Sequence, residues 1–321
     1  MTLKELKERQ SWTLDQKIDH SLGVIEQFYN HCNGKVYISF SGGKDSTVLF
    51  WLARKLYPDI KAVFCNTRNE YPDIVKFVHE LKRQYNVEII VPRKTPKEIM
   101  AINGFPLVSK EASGNIYAIR VNPNSKKSRK LLGIDDPEGK YRYDLAQKWR
   151  WLIDEKFTTS NVCCEKLKKY PFEKYERETG LSGILGTMAS ESNMRTQTYI
   201  RRGGCNVFKG PGIEKSRSLP LSIWMEEDIW KCIEKYNIPI SEIYHKGAKR
   251  TGCCFCGYGC QYKDHNSLQL VYDLYPKMYE LFMGYTNNGV TYREALRKVL
   301  AVNGLYLPDE KPAQQLSLFE E

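Results

Sequence analysis

A doubly wound α/β fold on a parallel sheet is predicted by three observations. Short apolar, β-branched or aromatic runs recur at Lys35–Phe40, Ile60–Asn66, Val87–Val91 and Leu181–Thr187, each of strand length. Helical spacing separates them, as in Val48, Leu49, Leu52 and Leu56, and again over Asp73–Tyr85. The first run passes through a small-residue turn, Ser41-Gly42-Gly43-Lys44-Asp45-Ser46, straight into a helix. Strands alternating with helices build a parallel sheet, and ligands of such sheets sit beyond the carboxyl ends of the strands.

Taken in order, Leu14–Cys32 carries Ile18, Leu22, Ile25 and Phe28 at helical spacing and predicts an N-terminal helix. The strand–turn–helix unit follows. Gly42 and Gly43 permit close backbone approach and positive φ. The turn's N–H groups, the helix dipole and the Lys44 charge together make an anion cradle suited to phosphate. Its spacing is not the Walker loop's, which places four residues before Gly-Lys-Ser/Thr. Asn66 to Glu70 follows the second strand and is expected beside the turn, with Glu70 alternatively a helix N-terminal acid. Thr95–Asn103 reads as a short helix. The stretch 104–143 lacks periodicity, is rich in Gly, Pro, Ser and Lys, and reads as a long loop inserted over the site. Asp144–Phe157 reads as an aromatic helix; Asn266–Met283 and Thr291–Val302 read as two closing helices.

Composition narrows the class. At 321 residues the chain buries a real core in one large or two modest domains. No run of about 18 apolar residues predicts a membrane span. The charged start, Met1–Gln10, lacks an apolar signal core, and a cytoplasmic location is expected. The net charge is +11, with basic runs at 126–130, 201–202, 215–217 and 246–250. These are either a solvated surface or a site for a polyanion, nucleic acid or a phosphate-rich small molecule. Ten cysteines without a secretion signal argue for metal or cluster binding rather than disulfides.

The turn Ser41–Ser46 after its strand resembles the PP-loop of the N-type ATP pyrophosphatases and the adenylyl-sulfate reductase family. Further segments carry the likeness. Asn66-Thr67 with Glu70 and Pro72 loosely matches the family's Asp-Thr-Gly-x-x-x-Pro-Glu segment. Gly186, Glu191, Ser192 and Arg195 match Gly-x-Arg-x-x-Glu-Ser…Arg, with Met188 in place of the internal arginine. Pro220-Leu221…Trp224…Asp228-Ile229-Trp230 and the stretch from Pro239 through Tyr244 to Gly247 resemble downstream segments, to which packing roles are assigned. The resemblance implies an adenine nucleotide alpha hydrolase-like fold that binds ATP or adenylyl sulfate through Ser39, Ser41, Gly42, Gly43, Lys44, Asp45, Ser46, Asn66, Thr67, Gly186, Glu191 and Ser192. Mg²⁺ would be held partly by Asp45, and Lys44, Asp45 and Arg195 would do the chemistry, Arg195 as an anion clamp or else as a partner of Glu191. Loss of the arginine at Met188 implies a substrate other than the reductases' own.

Cys163-Cys164 lies upstream of Cys253-Cys254-x-Cys256, with Cys260 beyond, and thiolates in such sets suit an iron–sulfur cluster or zinc. The pattern resembles the Cys-Cys…Cys-x-x-Cys of cluster-containing adenylyl-sulfate reductases; Lys168 and Pro171 match that motif and Leu167 replaces its arginine. The resemblance gives Cys163, Cys164, Cys253 and Cys256 as ligands, local spacing also permits Cys260, and a cluster is expected with zinc as the alternative. Cys32, Cys65, Cys205 and Cys232 stand alone and read as small buried hydrophobes.

After Cys260 no cysteine follows, so the reductases' nucleophile, in a Glu-Cys-Gly-Leu-His segment, has no counterpart there. The combination resembles sulfur-incorporating relatives such as the DNA-phosphorothioation protein, and implies activation of an acceptor for sulfur transfer, with nucleic acid, DNA favoured, as acceptor and a sulfur donor protein as partner. Alternatives are a sulfite-releasing reductase, a tRNA-thiolating enzyme and a non-catalytic regulator. Gln315-Leu316-Ser317-Leu318-Phe319 resembles the motif by which bacterial DNA-binding and repair proteins bind the sliding clamp; the alternative is a tail folded on its own domain. The expected division is an N-terminal helix over 1–33, the nucleotide domain over 34–245 with the insertion 104–143, a cysteine-rich helical part over 246–307 and a flexible tail over 308–321.

Overall fold

The computed structural model describes residues 2–136, 138, 145–210 and 214–310. The pentapeptide 315–319 and parts of the 104–143 and 308–321 segments lie outside them. Contacts divide the chain into two units: residues 1–66, 71–91 and 171–251 form the first, and residues 67–70, 92–170 and 252–321 the second.

The first unit is built on a six-stranded sheet: β1 (Val36–Phe40), β2 (Ala62–Cys65), β3 (Val87–Ile90), β4 (Ser182–Leu185), β5 (Asn206–Val207) and β6 (Arg217–Ser218). Their order is β3-β2-β1-β4-β6-β5, parallel except for the β5–β6 pair. This is the doubly wound α/β class expected from the alternation. Strand order reverses direction between β1 and β4, where Ser39 pairs with Leu185, and that switch opens the crevice in which such sheets bind ligands. Ile38, Phe40, Ala62 and Val63 on the strands, with Val48, Leu49 and Leu52 of the helix Lys44–Leu56, are buried and fix the sheet against its helix. The helix Leu14–His31 begins with a capping box, Thr13 with Gln16. It is held by a buried Lys17–Asp228 pair at 2.6 Å and by Ser21, whose hydroxyl accepts from the Trp224 indole at 2.9 Å.

In the second unit an aromatic core gathers Phe105, Phe157, Phe255, Phe282 and Tyr292. The Tyr292 hydroxyl donates to the Phe255 carbonyl at 2.9 Å. Leu107–Val108 pairs in parallel with Gly257–Tyr258. Three expectations are corrected here. The stretch 104–143 contains the helices Lys110–Val121 and Lys126–Leu131, started by the N-caps Ser109 and Ser125, so it is not a bare loop. Among the described residues of 144–157, the one helical stretch is the short 3₁₀ turn Gln147–Ile153. The span Asn266–Met283 is two helices, Ser267–Leu274 and Pro276–Met283, because Pro276 has no N–H to continue the first. Among the described residues no helix is long and apolar enough to cross a membrane.

Candidate functional site

The turn after β1 is tied by its own serines. The Ser46 hydroxyl donates to the Gly43 carbonyl at 2.9 Å and accepts from the Ser41 amide at 3.2 Å, while the Gly43 amide donates to the Ser41 hydroxyl at 3.3 Å. Gly42 takes φ +71°, a left-handed conformation that L side chains rarely adopt. Gly43 caps the helix Lys44–Leu56 with no side chain, so the cap residue itself gives the first turn no hydrogen bond. A cavity of about 310 Å³ opens over this turn, wholly within the first unit, walled by Gly43, Lys44, Asp45, Glu191, Glu226 and Tyr244 among others.

Lys44 is only 3% exposed. Its ammonium lies 3.2 Å from Glu226 and 3.5 Å from Asp45, with the rings of Trp230 and Tyr244 at 5.7 and 5.9 Å. Burial alone would lower its pKa, but Asp45, Tyr244 and Glu226 outweigh burial and hold it above the ordinary lysine value. Burial pushes the Asp45 carboxyl up, against the pull of Lys44. The Lys44 amide donates to the Tyr244 hydroxyl at 2.8 Å, and that hydroxyl lies 3.1 Å from the hydroxyl of Thr251. A Cβ at Gly43 would meet the Thr251 hydroxyl at 2.5 Å, so the glycine is needed for this close approach.

Across the switch point, Gly186 lies against the Asp45 carbonyl, where a Cβ would sit at 3.1 Å. Glu191 accepts from the Met188 amide at 2.9 Å and pairs with Arg195 one helical turn on. Ser192 caps the helix Asn193–Arg202 by accepting from the Arg195 amide. Arg195 is not among the residues walling the cavity; Arg250 and Met188 are. Ser39 lies on β1, and the Asn66 amide, just after β2, donates to Ile90 at 2.9 Å. Thr67 belongs to the second unit, where it and Asn69 donate to the Glu70 carboxylate.

The sequence placed Arg250 in the basic run 246–250, gave Glu226, Trp230 and Tyr244 structural roles with their segments, and offered nothing for Thr251. Trp224 is fully buried, but Trp230 stays 38% exposed with its ring facing Lys44. Only the Pro…Tyr…Gly stretch hinted at Tyr244, and nothing local joins it to a lysine 200 residues away.

Within the second unit, Cys163, Cys164, Cys253 and Cys256 wall one cavity together with Lys168 and Asn69. The first pair sits where a short helix, Val162–Cys164, widens into a π-helical turn over Glu165–Lys169. The Cys163 thiol hydrogen-bonds Cys164, which draws the Cys164 pKa below the ordinary thiol value and drives that of Cys163 up. The half-buried Lys168 is held above its usual value, first by Cys253 and then by Glu70 and Cys164 against the cost of desolvation. Asn69 is 3% exposed and its Oδ1 has no hydrogen-bond partner among the described residues. Cys254 and Cys260 are buried and do not wall this cavity; burial pushes Cys260 up to about 12. Among the described residues no three Cys, His, Asp or Glu side chains converge to hold a single metal ion. Cys65, Cys205 and Cys232 are buried apart from the set, and Cys32 is half-buried.

A family model described as the phosphoadenosine phosphosulfate reductase domain matches residues 35–131 and 117–258. An uncharacterised protein of Methanocaldococcus jannaschii is 27% identical over 270 residues, 81% of this chain and 50% of its own length. The adenosine 5′-phosphosulfate reductase of Halalkalibacterium halodurans is 22% identical over 241 residues, 74% of this chain and 80% of its own. Sulfate adenylyltransferase subunit 2 of Aeromonas hydrophila is 28% identical over 235 residues, 72% of this chain and 67% of its own. The chain thus spans about half the length of the first of these relatives.

Proposed function

This chain belongs to the phosphoadenosine phosphosulfate reductase domain family, and on that premise we propose that it is a PP-loop enzyme that adenylates an acceptor for sulfur transfer. The acceptor in this reading is nucleic acid, with DNA favoured. The observation that carries it is the buried Lys44 in a glycine-capped turn over a cavity of about 310 Å³ at the sheet's switch point.

ATP lies with its phosphates on Ser41–Ser46. An acceptor oxygen attacks the α-phosphorus, the bond to the β-phosphate bridge breaks, and pyrophosphate leaves. Lys44 and the helix N-terminal amides face the charge that develops, a preorganised electrostatic role. Arg250, in the cavity wall, supplies a further cation, and Arg195 joins it on release from Glu191. Mg²⁺ would be held by Asp45 with Glu226 or Glu191, whose carboxylates stand in the same wall, and would neutralise phosphate charge. A sulfur nucleophile then displaces AMP from the activated acceptor.

The cysteine cavity fits an iron–sulfur cluster. Four soft sulfur donors wall one space, the donor set that an iron–sulfur cluster takes, with zinc as the alternative. Cys163, Cys164, Cys253 and Cys256 would hold it, and the Lys168 ammonium would balance its negative charge. Such a group, when bound, supplies a site for holding or passing sulfur. The Gln315–Phe319 segment would dock the enzyme on a sliding clamp.

The test is pyrophosphate release from ATP in the presence of DNA, tRNA or adenylyl sulfate. DNA-stimulated release, abolished by Lys44→Met, is expected. Full activity in that variant overturns the assignment, and sulfite release from adenylyl sulfate with thioredoxin would make it a reductase instead.

A further inference from the structure

A second cavity of about 310 Å³ lies wholly within the second unit, and neither the nucleotide nor the cysteine chemistry uses it. Its wall includes Val108, Glu111, Asn115, Trp149, Gln261 and Tyr262. The helix Lys110–Val121 carries Glu111 and Asn115 one turn apart, which brings both to one face. Gln261 and Tyr262 come directly after Cys260, and their segment is anchored by the Asn303 side chain, which donates to the Gln261 carbonyl at 2.9 Å.

Three features set this cavity apart from a surface dent. Gln261 is 4% exposed, and its Oε1 has no hydrogen-bond partner among the described residues. A buried amide oxygen without a donor is costly unless a ligand completes it. Next to it Tyr262, an aromatic side chain, leaves 63% of its surface open. Val108 takes φ +65°, a left-handed conformation unusual for a β-branched residue, and is kept there by the hydrogen bond that its carbonyl accepts from Gly259 at 2.8 Å.

The wall's chemistry defines its ligand. An unpaired amide oxygen and a carboxylate ask for N–H donors, and Tyr262 asks for a flat ring. Lys148 is also in the wall, and the exposed Lys126 and Lys127 lie on the helix that packs against Lys110–Val121. A lysine in the wall of a ring-and-amide pocket matches a base joined to phosphate, the combination by which single strands are held. We propose that this cavity receives an unstacked nucleobase bearing an exocyclic amine, from a single-stranded nucleic acid whose phosphates run along Lys148, Lys126 and Lys127. The proposal deepens the acceptor reading above, since it says where the acceptor strand is gripped.

The test is fluorescence anisotropy of short labelled oligodeoxycytidylate, oligodeoxythymidylate and oligocytidylate on the full chain at one fixed salt concentration. The cytidylate strands are expected to bind more tightly than the thymidylate. Tyr262→Ala, at an exposed position, should weaken all of them about tenfold. Gln261→Leu should weaken the cytidylates severalfold and leave the thymidylate alone. The two cytidylates show whether the strand is DNA or RNA, and the pocket stands with either. Native affinity in Tyr262→Ala, or no strand binding by the native chain, overturns the proposal. Lys44→Met separates the readings. Strand binding that responds to Tyr262, with pyrophosphate release indifferent to Lys44, leaves the pocket standing and the adenylation scheme refuted; the reverse result does the opposite.

Discussion

Tyr244 places its hydroxyl where a phosphate oxygen would sit, accepting the hydrogen bond of the Lys44 amide. A nucleotide using that amide must displace the phenol. Tyr244→Phe is therefore expected to tighten ATP binding by about threefold to tenfold, the worth of one ordinary hydrogen bond, in a calorimetric titration. Weaker binding would show instead that the hydroxyl touches the ligand. Asp45 carries a second residue-scale prediction. Burial raises its pKa, and Glu191 and Glu226 add to the rise, so it takes up its proton at higher pH than an ordinary aspartate. Below that pKa the carboxyl is neutral and cannot hold a cation. Pyrophosphate release should fall with decreasing pH along an acid limb set above the usual aspartate range, and Asp45→Asn should hold release at the low-pH level at every pH. A limb in the ordinary range would contradict this. Ser41–Ser46 is contiguous, and its serines and glycines tie the turn by themselves, so it was legible from sequence. Tyr244 and Thr251 reach the same point only through the folded chain, which no local pattern announces.

Among the elements, the helix Leu14–His31 shows how a distant contact sets a local shape. Lys17 is 2% exposed, and its partner Asp228 also accepts from the Met225 amide at 2.7 Å, starting the helix Glu226–Tyr236. Removing the ammonium leaves a buried carboxylate uncompensated. Lys17→Ala should cost about 3 kcal/mol in urea unfolding, and a loss near zero would show the pair to be replaceable. The same start places Glu226 within reach of Lys44, so this variant should also loosen nucleotide binding. Strands β1 to β4 were legible because their apolar runs are bounded by turns. The helix Lys110–Val121 was not: Gly114 and several polar residues blur its period, and packing rather than propensity stabilises it. The closing pair was legible as helices, but the part Pro276 plays in splitting the first was underrated.

For the whole molecule, a net charge of +11 agrees with an anionic partner but does not name one. The sequence spacing of the cysteines left five candidates; the folded chain puts four of them around one cavity and Cys260 outside it. Protein purified without oxygen is expected to contain iron and acid-labile sulfide, both lost in Cys253→Ser. Stoichiometric zinc without sulfide would replace the cluster with a single ion. Deleting residues 315–319 should abolish capture by a bacterial sliding clamp, and unchanged capture would remove that partner. All of the proposed chemistry depends on a nucleotide at the turn after β1. Its most direct test is a structure with Mg²⁺ and a non-hydrolysable ATP analogue. The triphosphate should lie on residues 42–46 with the Lys44 ammonium turned from Glu226 toward it; a triphosphate bound elsewhere, with this crevice closed by protein, would contradict the account.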